Sequence, residues 1–521
     1  MQNKENVRLL LPAALGPEFL REEWCGEIPQ EESRVLIFWD TFEWGLWFGG
    51  YLLYSCGGSY HLCLRDGGWM GEELCREKGG GARRFWGEFR TPAMRTQLQG
   101  VLGVRGLAPV VEGTFHRLQD ELRNELGKIV CRLEWDSISA GKRGGEELLH
   151  TCRLHPLLGY EAEAARVMAR LTLAGARTTG DGPLELLLRN SGCTPRRYTL
   201  RPPFGLKEGT PAREAVGRIV RTILGIAASN LPGLLSDLDT EFLHDYRICF
   251  RKIRSVLALV KGVYPPEEIG RMRTILGDLA RQTNRLRDLD VYLLAREEYL
   301  ALLPPGLRPA LEGMFRDFAV EREGEVRAVI SRLRTPSCTA LLRELEEYFG
   351  EEMLHGFAPA ADLPVGGVAF RRIHGRYKKI RKLAGGIGAD TPDEEVHQLR
   401  IQCKKLRYLL EFFSELIPPE EGGAMQKLLR RLQGRLGDFN DASVPQLSLL
   451  TYWQEKGAGS DVALGVGGLV SILYQRQQSA RALIRQALDE FCGDATAALF
   501  KQCFKTAVSA PPTAPPRSST P

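Results

Sequence analysis

No Cys-x-x-Cys pair occurs among the 12 cysteines (Cys25, Cys56, Cys63, Cys75, Cys131, Cys152, Cys193, Cys249, Cys338, Cys403, Cys492 and Cys503), which removes the spacing of zinc ribbons and thioredoxin-like redox motifs. Scattered thiols of this kind are expected as small buried residues in a reducing cytosol. The uncharged stretch from Val462 to Gln475 holds 14 residues and three glycines, short of the roughly 20 that a membrane-spanning helix needs. The first residues, MQNKENVRLLLPAALGPEF, break their apolar run at Pro12 and continue into acids, so no signal peptide is expected. Low complexity is confined to the proline-rich end, and the expected location is the cytoplasm. Charge of one sign is also scarce: 70 Lys+Arg against 65 Asp+Glu leave a net charge of +5 over 521 residues. By itself that balance announces neither a nucleic-acid nor a membrane partner.

A hydrophobic fraction of 43% with 26% charged residues is that of a globular chain, and 521 residues allow two to four domains. Position separates two compositions. Up to residue 210 there are 27 Lys+Arg and 27 Asp+Glu; beyond it there are 43 and 38. Seven of the eight tryptophans (Trp24, Trp39, Trp44, Trp47, Trp69, Trp86 and Trp135) lie in the first part. With them come β-type runs at Arg34–Trp39, Tyr51–Tyr54, Tyr60–Leu64 and Lys128–Trp135, punctuated by glycine pairs, and a helical pattern at Tyr160–Ala174. The stretch from Asp181 to Pro211 is rich in Gly, Pro, Thr and Arg and reads as a linker. From Ala212 to about Lys505 the period becomes 3.6, with breaks at 265–266, 304–305, 418–419 and 422–423. The expected organisation is an α+β chain: a strand-rich domain over 1–205, a linker over 206–211, an all-helical domain over 212–506 and a disordered tail over 507–521.

The helical part repeats itself. His244-Asp-Tyr-Arg-Ile-Cys-Phe-Arg-Lys-Ile-Arg254 returns 153 residues later as His397-Gln-Leu-Arg-Ile-Gln-Cys-Lys-Lys-Leu-Arg407. His244, Arg247, Arg251 and Arg254, like His397, Arg400, Lys404 and Arg407, stand at i, i+3, i+7 and i+10. At 100° per residue such positions share an arc of about 80° on one side of a helix. Cys249, Phe250, Ile253, Val256 and Leu257 fall opposite in the first copy, and Cys403, Leu406, Leu409, Leu410 and Phe413 in the second. Lys252 and Lys405 add to the basic content of the two helices. Between the copies, Arg371 to Lys382 holds seven basic residues in twelve and no acid, with Arg372, Arg376 and Lys379 at helical spacing. A single basic stripe is ordinarily a solvated helix face. Duplicated stripes are different, because like charges about 6 Å apart cost roughly 1 kcal/mol even in a wet site unless an anion intervenes. Arg forks and mobile Lys charges suit a flexible phosphate chain.

Each copy is followed by a second shared element, Asn284-Arg-Leu-Arg-Asp-Leu-Asp-Val291 and Gly434-Arg-Leu-Gly-Asp-Phe-Asn-Asp441. Asp288 and Asp438 are candidates for clamping basic side chains or capping helices. No second His, Cys or carboxylate stands at ligand spacing beside His244 or His397, so no metal and no cofactor are expected.

With these four motifs in this order, residues 212–506 resemble the CHAD domain, the conserved histidine α-helical domain. The resemblance implies two pseudo-symmetric antiparallel helical bundles and a basic channel for inorganic polyphosphate. The lining residues would be His244, Arg247, Arg251, Lys252, Arg254, Arg372, Arg376, Lys379, His397, Arg400, Lys404, Lys405 and Arg407. It also implies polyphosphate granules or polyphosphate-metabolising enzymes as partners, with no membrane.

CHAD domains often follow a CYTH domain, an antiparallel β-barrel that holds a triphosphate and metal-binding glutamates. Phe38-Trp-Asp-Thr-Phe42, Gly106-Leu-Ala-Pro-Val110 and Arg132 to Ser137 are similar to its strands and turn. The departures fall at the chemistry: where the family opens with Glu-x-Glu-x-Lys this chain has Lys4, Asn6 and Arg8, its hairpin Arg-x-Arg becomes Tyr54 and Cys56, and its late acids become His150 and Cys152. Arg65, Arg84, Arg117 and Glu134 are left as lumen charges. Lys4 and Asn6 cannot hold Mg²⁺ or Mn²⁺, so the barrel is expected to be catalytically inactive and the protein a non-enzymatic polyphosphate binder. The alternative is a metal-dependent tripolyphosphate or polyphosphate hydrolase, with Glu134, Asp136 and Asp40 as its only acids. Nucleic-acid binding is a second alternative, opposed by the lack of stacking aromatics: Tyr246 lies toward the apolar face and Tyr377 is alone in its run.

Overall fold

The structure, a computed structural model, describes residues 8–509 apart from 13–14, 17, 22–23, 25–29, 66–71, 80–81, 141–146, 180, 351–357, 389 and 457–459. The chain forms two compact units, Met1–Tyr198 and Thr199–Pro521.

Among the described residues the first unit has a nine-stranded antiparallel sheet with five α-helices: β1 (Arg8–Leu11), α1 (Glu18–Arg21), β2 (Gln30–Thr41), α2 (Gly45–Phe48), β3 (Tyr51–Cys56), β4 (Ser59–Leu64), β5 (Glu72–Lys78), α3 (Pro92–Leu102), β6 (Leu107–Arg123), β7 (Ile129–Ala140), β8 (Glu147–Pro156), α4 (Glu161–Leu173), β9 (Arg177–Thr178) and α5 (Pro183–Asn190). Alternation along β7 decides its two faces. Cys131, Leu133 and Trp135 join Leu9, Leu11, Cys152 and Leu154 in a core closed by Ala164, Val167 and Leu171 of α4, while the residues between them carry charge. Gly57 and Gly58, with φ of +54° and +71°, supply the tight turn between β3 and β4, whose two positive φ angles glycine adopts without strain.

Two expectations change here. The strand order β5-β4-β3-β2-β6-β7-β8-β1-β9 has two ends, so the sheet is open where a closed barrel was expected. Its ends explain this: β9 has only two residues, and β5 reads Glu-Glu-Leu-Cys-Arg-Glu-Lys, a charged edge of the kind that resists further pairing. The stretch from 181 is also not all linker. Helix α5 buries Leu184, Leu186, Leu187 and Leu188 against Leu36, Phe115 and Ile138.

The second unit is all-helical: α6 (Ala212–Leu235), α7 (Thr240–Leu259), α8 (Pro266–Arg281), α9 (Asn284–Leu294), α10 (Arg296–Leu302), α11 (Arg308–Leu333), α12 (Pro336–Tyr348), α13 (Val365–Ala384), α14 (Asp393–Phe412), α15 (Pro419–Lys456), α16 (Ser460–Cys492) and α17 (Asp494–Ser509). Helices α13, α14 and α15 each start 153 residues after α6, α7 and α8. The pseudo-twofold is written into the backbone. Ala212 N donates to Leu363 O (2.9 Å) and Val365 N to Thr210 O (2.8 Å); Arg213 N donates to Ala361 O (2.9 Å) and Gly366 N to Glu208 O (3.1 Å). Each bond is the image of its partner under the 153-residue shift, around a bridge between Pro211 and Pro364.

The copies differ in their helix breaks. Helices α8, α9 and α10 are separated at Gln282 and Thr283 and again at Ala295, whereas α15 runs through the equivalent positions as one helix. Gly422 and Gly423, expected to break a helix, lie inside α15; Pro419 at its first turn has already fixed a helical φ and carries them along. Residues 510–521, most of the expected proline-rich tail, lie outside the described residues. The described cysteines are free thiols, buried or half-buried. Among the described residues no helix is long and apolar enough to cross a membrane.

Candidate functional site

Helix α7 starts where the Asp239 carboxylate accepts hydrogen bonds from Glu241 N (2.9 Å) and Phe242 N (3.3 Å), and α14 starts after Pro392 with Asp393, Glu394 and Glu395 in its first turn, where the helix dipole favours acids. The apolar residues named for each copy are buried, and the two helices pack against each other. That packing joins their basic sides. Burial holds the Lys404 ammonium down at about 8, reinforced by repulsion from Arg400 and Arg407 on its own helix and from Arg251 across on α7. Arg400 is lowered by burial and by Arg251 and Arg407, with Asp441 acting the other way. Arg247 is lowered by burial, opposed by Asp288 and reinforced by Arg251 and Arg287.

A second basic group forms around α13. Burial lowers Lys405 of α14, and so do Arg376 and Lys379 of α13 and Arg273 of α8. Arg376 is lowered by burial and Arg372, and Arg372 by burial and Arg371. The Arg254 guanidinium lies over Gly277 of α8.

Several of these side chains also hold the protein together. Lys252, only 6% exposed, pairs with Glu411 (3.0 Å) and donates to Leu200 O (2.7 Å). Arg201 (3.4 Å) and Arg407 (3.5 Å) converge on the same carboxylate. Arg247 clamps the break between α8 and α9, donating to Ala280 O (2.7 Å), Thr283 Oγ1 (2.6 Å) and Asn284 Oδ1 (2.8 Å). Arg376 donates to Gln402, and Arg372 to Lys261 O (2.9 Å). His397 Nδ1 lies 3.2 Å from the side-chain amide oxygen Asn440 Oδ1. Arg251, Arg254, Lys379, Lys404 and Lys405 make neither an ion pair nor a side-chain hydrogen bond among the described residues, and neither do the buried Arg287 Nη1, Arg376 Nε and Arg407 Nε donate to any partner there.

Helix geometry corrects the expectation that no carboxylate stands at ligand spacing beside His244. Glu241 and Asp245, at i−3 and i+1, bring ligand atoms within 4.8 Å of one another and of the His244 ring. Glu241 is also drawn toward Arg287 (3.7 Å), a cation that competes with any metal. Asp288 bears on Arg247, Arg285 and Arg287, and Asp290, two residues on, accepts from Arg322 Nε (2.7 Å) while Asp237 takes the other guanidinium nitrogens (2.8 and 3.0 Å). Asp438 lies 3.5 Å from Arg435. The stripe pattern missed Arg273, Arg287 and Glu411. Arg287 sits inside the quoted Arg-Asp-Leu-Asp-Val element, and Glu411 lies one turn beyond Arg407.

In the sheet unit, the acids proposed for metal chemistry are already committed. Buried Asp136 accepts from Arg8 (2.7 Å) and from Arg117 (2.7 and 3.0 Å). Glu134 lies among Arg117, Arg153 and His155 at 3.6–3.9 Å. Asp40 accepts from Thr41 N, Leu46 N and Trp47 N at 2.6–2.9 Å, pinning α2. Cys152 is fully buried, and Arg65 is spent on Trp47, donating to its carbonyl (3.0 Å) and lying over its ring (4.7 Å). Lys4 and Asn6 lie outside the described residues.

The family model of the CHAD domain matches residues 218–450. Among solved structures, the chain is similar to the CHAD domain from the plant Ricinus communis, at 23% identity with a TM-score of 0.47 over 56% of this chain and 97% of that one. It is also similar to PptA from Streptomyces chartreusis, at 18% identity with a TM-score of 0.41 over 53% of this chain and 99% of that one. No curated protein sequence matches. The duplicated His/Arg helices, their reciprocal backbone seam and the model match agree: the helical unit, matched from 218 to 450, is a CHAD domain.

Proposed function

We propose that the helical unit binds inorganic polyphosphate without hydrolysing it. The observation that carries this is the convergence of Arg251 from the first copy with Arg400, Lys404 and Arg407 from the second, with Glu411 at 3.5 Å from Arg407 and Asp441 at 4.0 Å from Arg400 as the acids beside them. Cations held this close destabilise one another, and a phosphate chain threaded along them removes that cost. Guanidinium nitrogens that make no hydrogen bond on Arg287, Arg376 and Arg407 would donate to its oxygens, in competition with Glu241 and Glu411 beside the first and last of them, and the group of Arg372, Arg376, Lys379 and Lys405 would extend the track. Lys252 contributes by holding Glu411, not by meeting the ligand. Hydrolysis has little support in the sheet unit, since Asp136, Glu134 and Asp40 are occupied by arginines or by a helix start. Attachment to polyphosphate granules would follow from the same surface.

The test is a titration of the full chain with long-chain polyphosphate at two salt concentrations. Neutralising a flexible polyanion gives a salt slope of about −0.7 per phosphate contact, so six contacts should cost about a factor of 300 in affinity per fourfold rise in salt. Arg251→Gln with Arg400→Gln and Lys404→Gln should weaken binding about 100-fold at low salt, at roughly 1 kcal/mol per lost charged contact. Unchanged affinity in that triple variant sinks the assignment. Single-stranded RNA displacing polyphosphate at equal phosphate concentration would favour the nucleic-acid alternative.

A further inference from the structure

The residues just before α6, expected from their composition to be a linker, are fastened to the helical unit as a strap. The Glu415 carboxylate on the α14 side accepts hydrogen bonds from Phe204 N (3.1 Å), Gly205 N (3.2 Å) and Leu206 N (2.9 Å). Lys252 of α7 donates to Leu200 O and Arg218 of α6 to Gly205 O, both at 2.7 Å, and Phe204 and Leu206 are buried. Between these anchors stand Arg201, Pro202 and Pro203. Proline fixes its own φ and keeps the residue before it out of the helical region, so the backbone carrying Arg201 is held from both sides. The acids that hold the strap belong to one copy of the repeat only: the positions 153 residues before Glu411 and Glu415 are Ala258 and Gly262.

Three cations meet at Glu411. Lys252 lies 3.0 Å from Oε2, while Arg201 and Arg407 share Oε1 at 3.4 and 3.5 Å. One carboxylate cannot balance three positive charges, and the covered pair is Lys252 with Glu411, whose side chains are 7% and 8% exposed. The two guanidinium groups are the accessible ones, at 57% for Arg201 and 34% for Arg407. An anion arriving there meets two forks side by side, with the acid beneath them already neutralised by the lysine. From this geometry we propose that Arg201 is a further polyphosphate-binding residue, set beside Arg407 by the strap. It comes from outside both copies of the repeat and outside residues 218–450 that the family model matches. The inference rests on polyphosphate binding at the basic helices and lengthens that site at its Arg407 end. Because the strap is already ordered, a phosphate contact there carries little further cost in backbone entropy.

Titration of the full chain with long-chain inorganic polyphosphate at several salt concentrations tests this. Arg201→Gln should weaken binding about fivefold at low salt, as for one partly exposed charged contact, and should make the salt slope shallower by about 0.7, the share of one phosphate contact. Arg201→Lys should keep the native slope, and Arg316→Gln, an exposed base on α11, should change neither quantity. The side chain of Arg201 is mostly exposed and Glu411 keeps Lys252 and Arg407, so the variants should melt with the native protein. The proposal is overturned if Arg201→Gln binds like the native chain while the triple variant of Arg251, Arg400 and Lys404 is weakened, an outcome that leaves the basic-helix site standing. It is also overturned if Arg201→Gln lowers the affinity without changing the slope, the sign of a purely structural role, or if Arg316→Gln has the same effect. Native affinity in the triple variant instead removes the site itself, and this extension with it.

Discussion

Lys404→Met should stabilise the helical unit while weakening its binding of polyphosphate. In the unfolded chain this ammonium titrates near 10.5; in the folded protein it is held at about 8 by burial and by Arg400, Arg251 and Arg407. Between those two values the unfolded chain binds the extra proton, so native stability rises as the pH is raised through the window and the cost of the charged lysine is fully present below pH 8. Unscreened, the difference corresponds to roughly 3 kcal/mol; Lys404 is half-buried, so solvent screening reduces this to about 1–2 kcal/mol. Methionine keeps most of the stem and removes the charge. At pH 7 the variant should melt about 2–6 °C above the native protein, and at pH 10.5 the advantage should shrink to whatever the altered stem contributes. Calorimetric melts of both proteins at the two pH values give the double difference, which isolates the charge from the packing. If Lys404→Met lowers the melting temperature at pH 7, or if its advantage is the same at both pH values, the four cations do not repel one another as the geometry requires.

Polyphosphate should reverse the depression of Lys404, so binding at pH 8.5 should take up protons, close to one per site, seen as a dependence of the calorimetric enthalpy on buffer ionisation heat; no proton exchange would place the ligand elsewhere. Glu411→Gln leaves buried Lys252 with a carbonyl and an amide in place of its carboxylate and should cost about 3 kcal/mol in urea unfolding, since one partner of a buried pair is lost. Gly233→Ala places a methyl group into the Phe242 ring, where α6 and α7 cross closely, and should cost about 1–3 kcal/mol by overpacking; a melting temperature unchanged from the native protein would contradict the packing of that helix pair.

The two stripes were legible because helical periodicity is local: His244 to Arg254 and His397 to Arg407 declare their apolar and basic sides within three turns, and the repeat places them in equivalent positions. The proline pairs at 265–266 and 418–419 mark equivalent helix starts for the same local reason. What escaped depends on partners far away in sequence. Lys252 looks like another stripe cation until Glu411, 159 residues on, is seen to neutralise it. Arg247 becomes a clamp only because α8 stops at Arg281, where its guanidinium joins Thr283 on the Ala280 carbonyl. Glu241 joins His244 and Asp245 through helix geometry that a search for familiar ligand spacings passes over. In the sheet unit, the strand runs were visible, but the open edge depends on β9 being two residues long, and the burial of α5 on its contact with distant strands.

The four exchanged backbone bonds around Pro211 and Pro364 make neither copy of the helical repeat self-sufficient. A polypeptide holding only 206–359 would present donors at Ala212 and Arg213 and acceptors at Glu208 and Thr210, with every complement about 150 residues away on the missing half. Because donor and acceptor sets are images of each other, two such fragments present matching sets to one another. The seam thus has the geometry of a homodimer interface inside one chain, and joining the halves converts a concentration-dependent association into the closure of a single loop, whose entropic cost grows only logarithmically with its length. Within one chain the halves need not be identical, and one copy splits its third helix at Thr283 while the other keeps it whole.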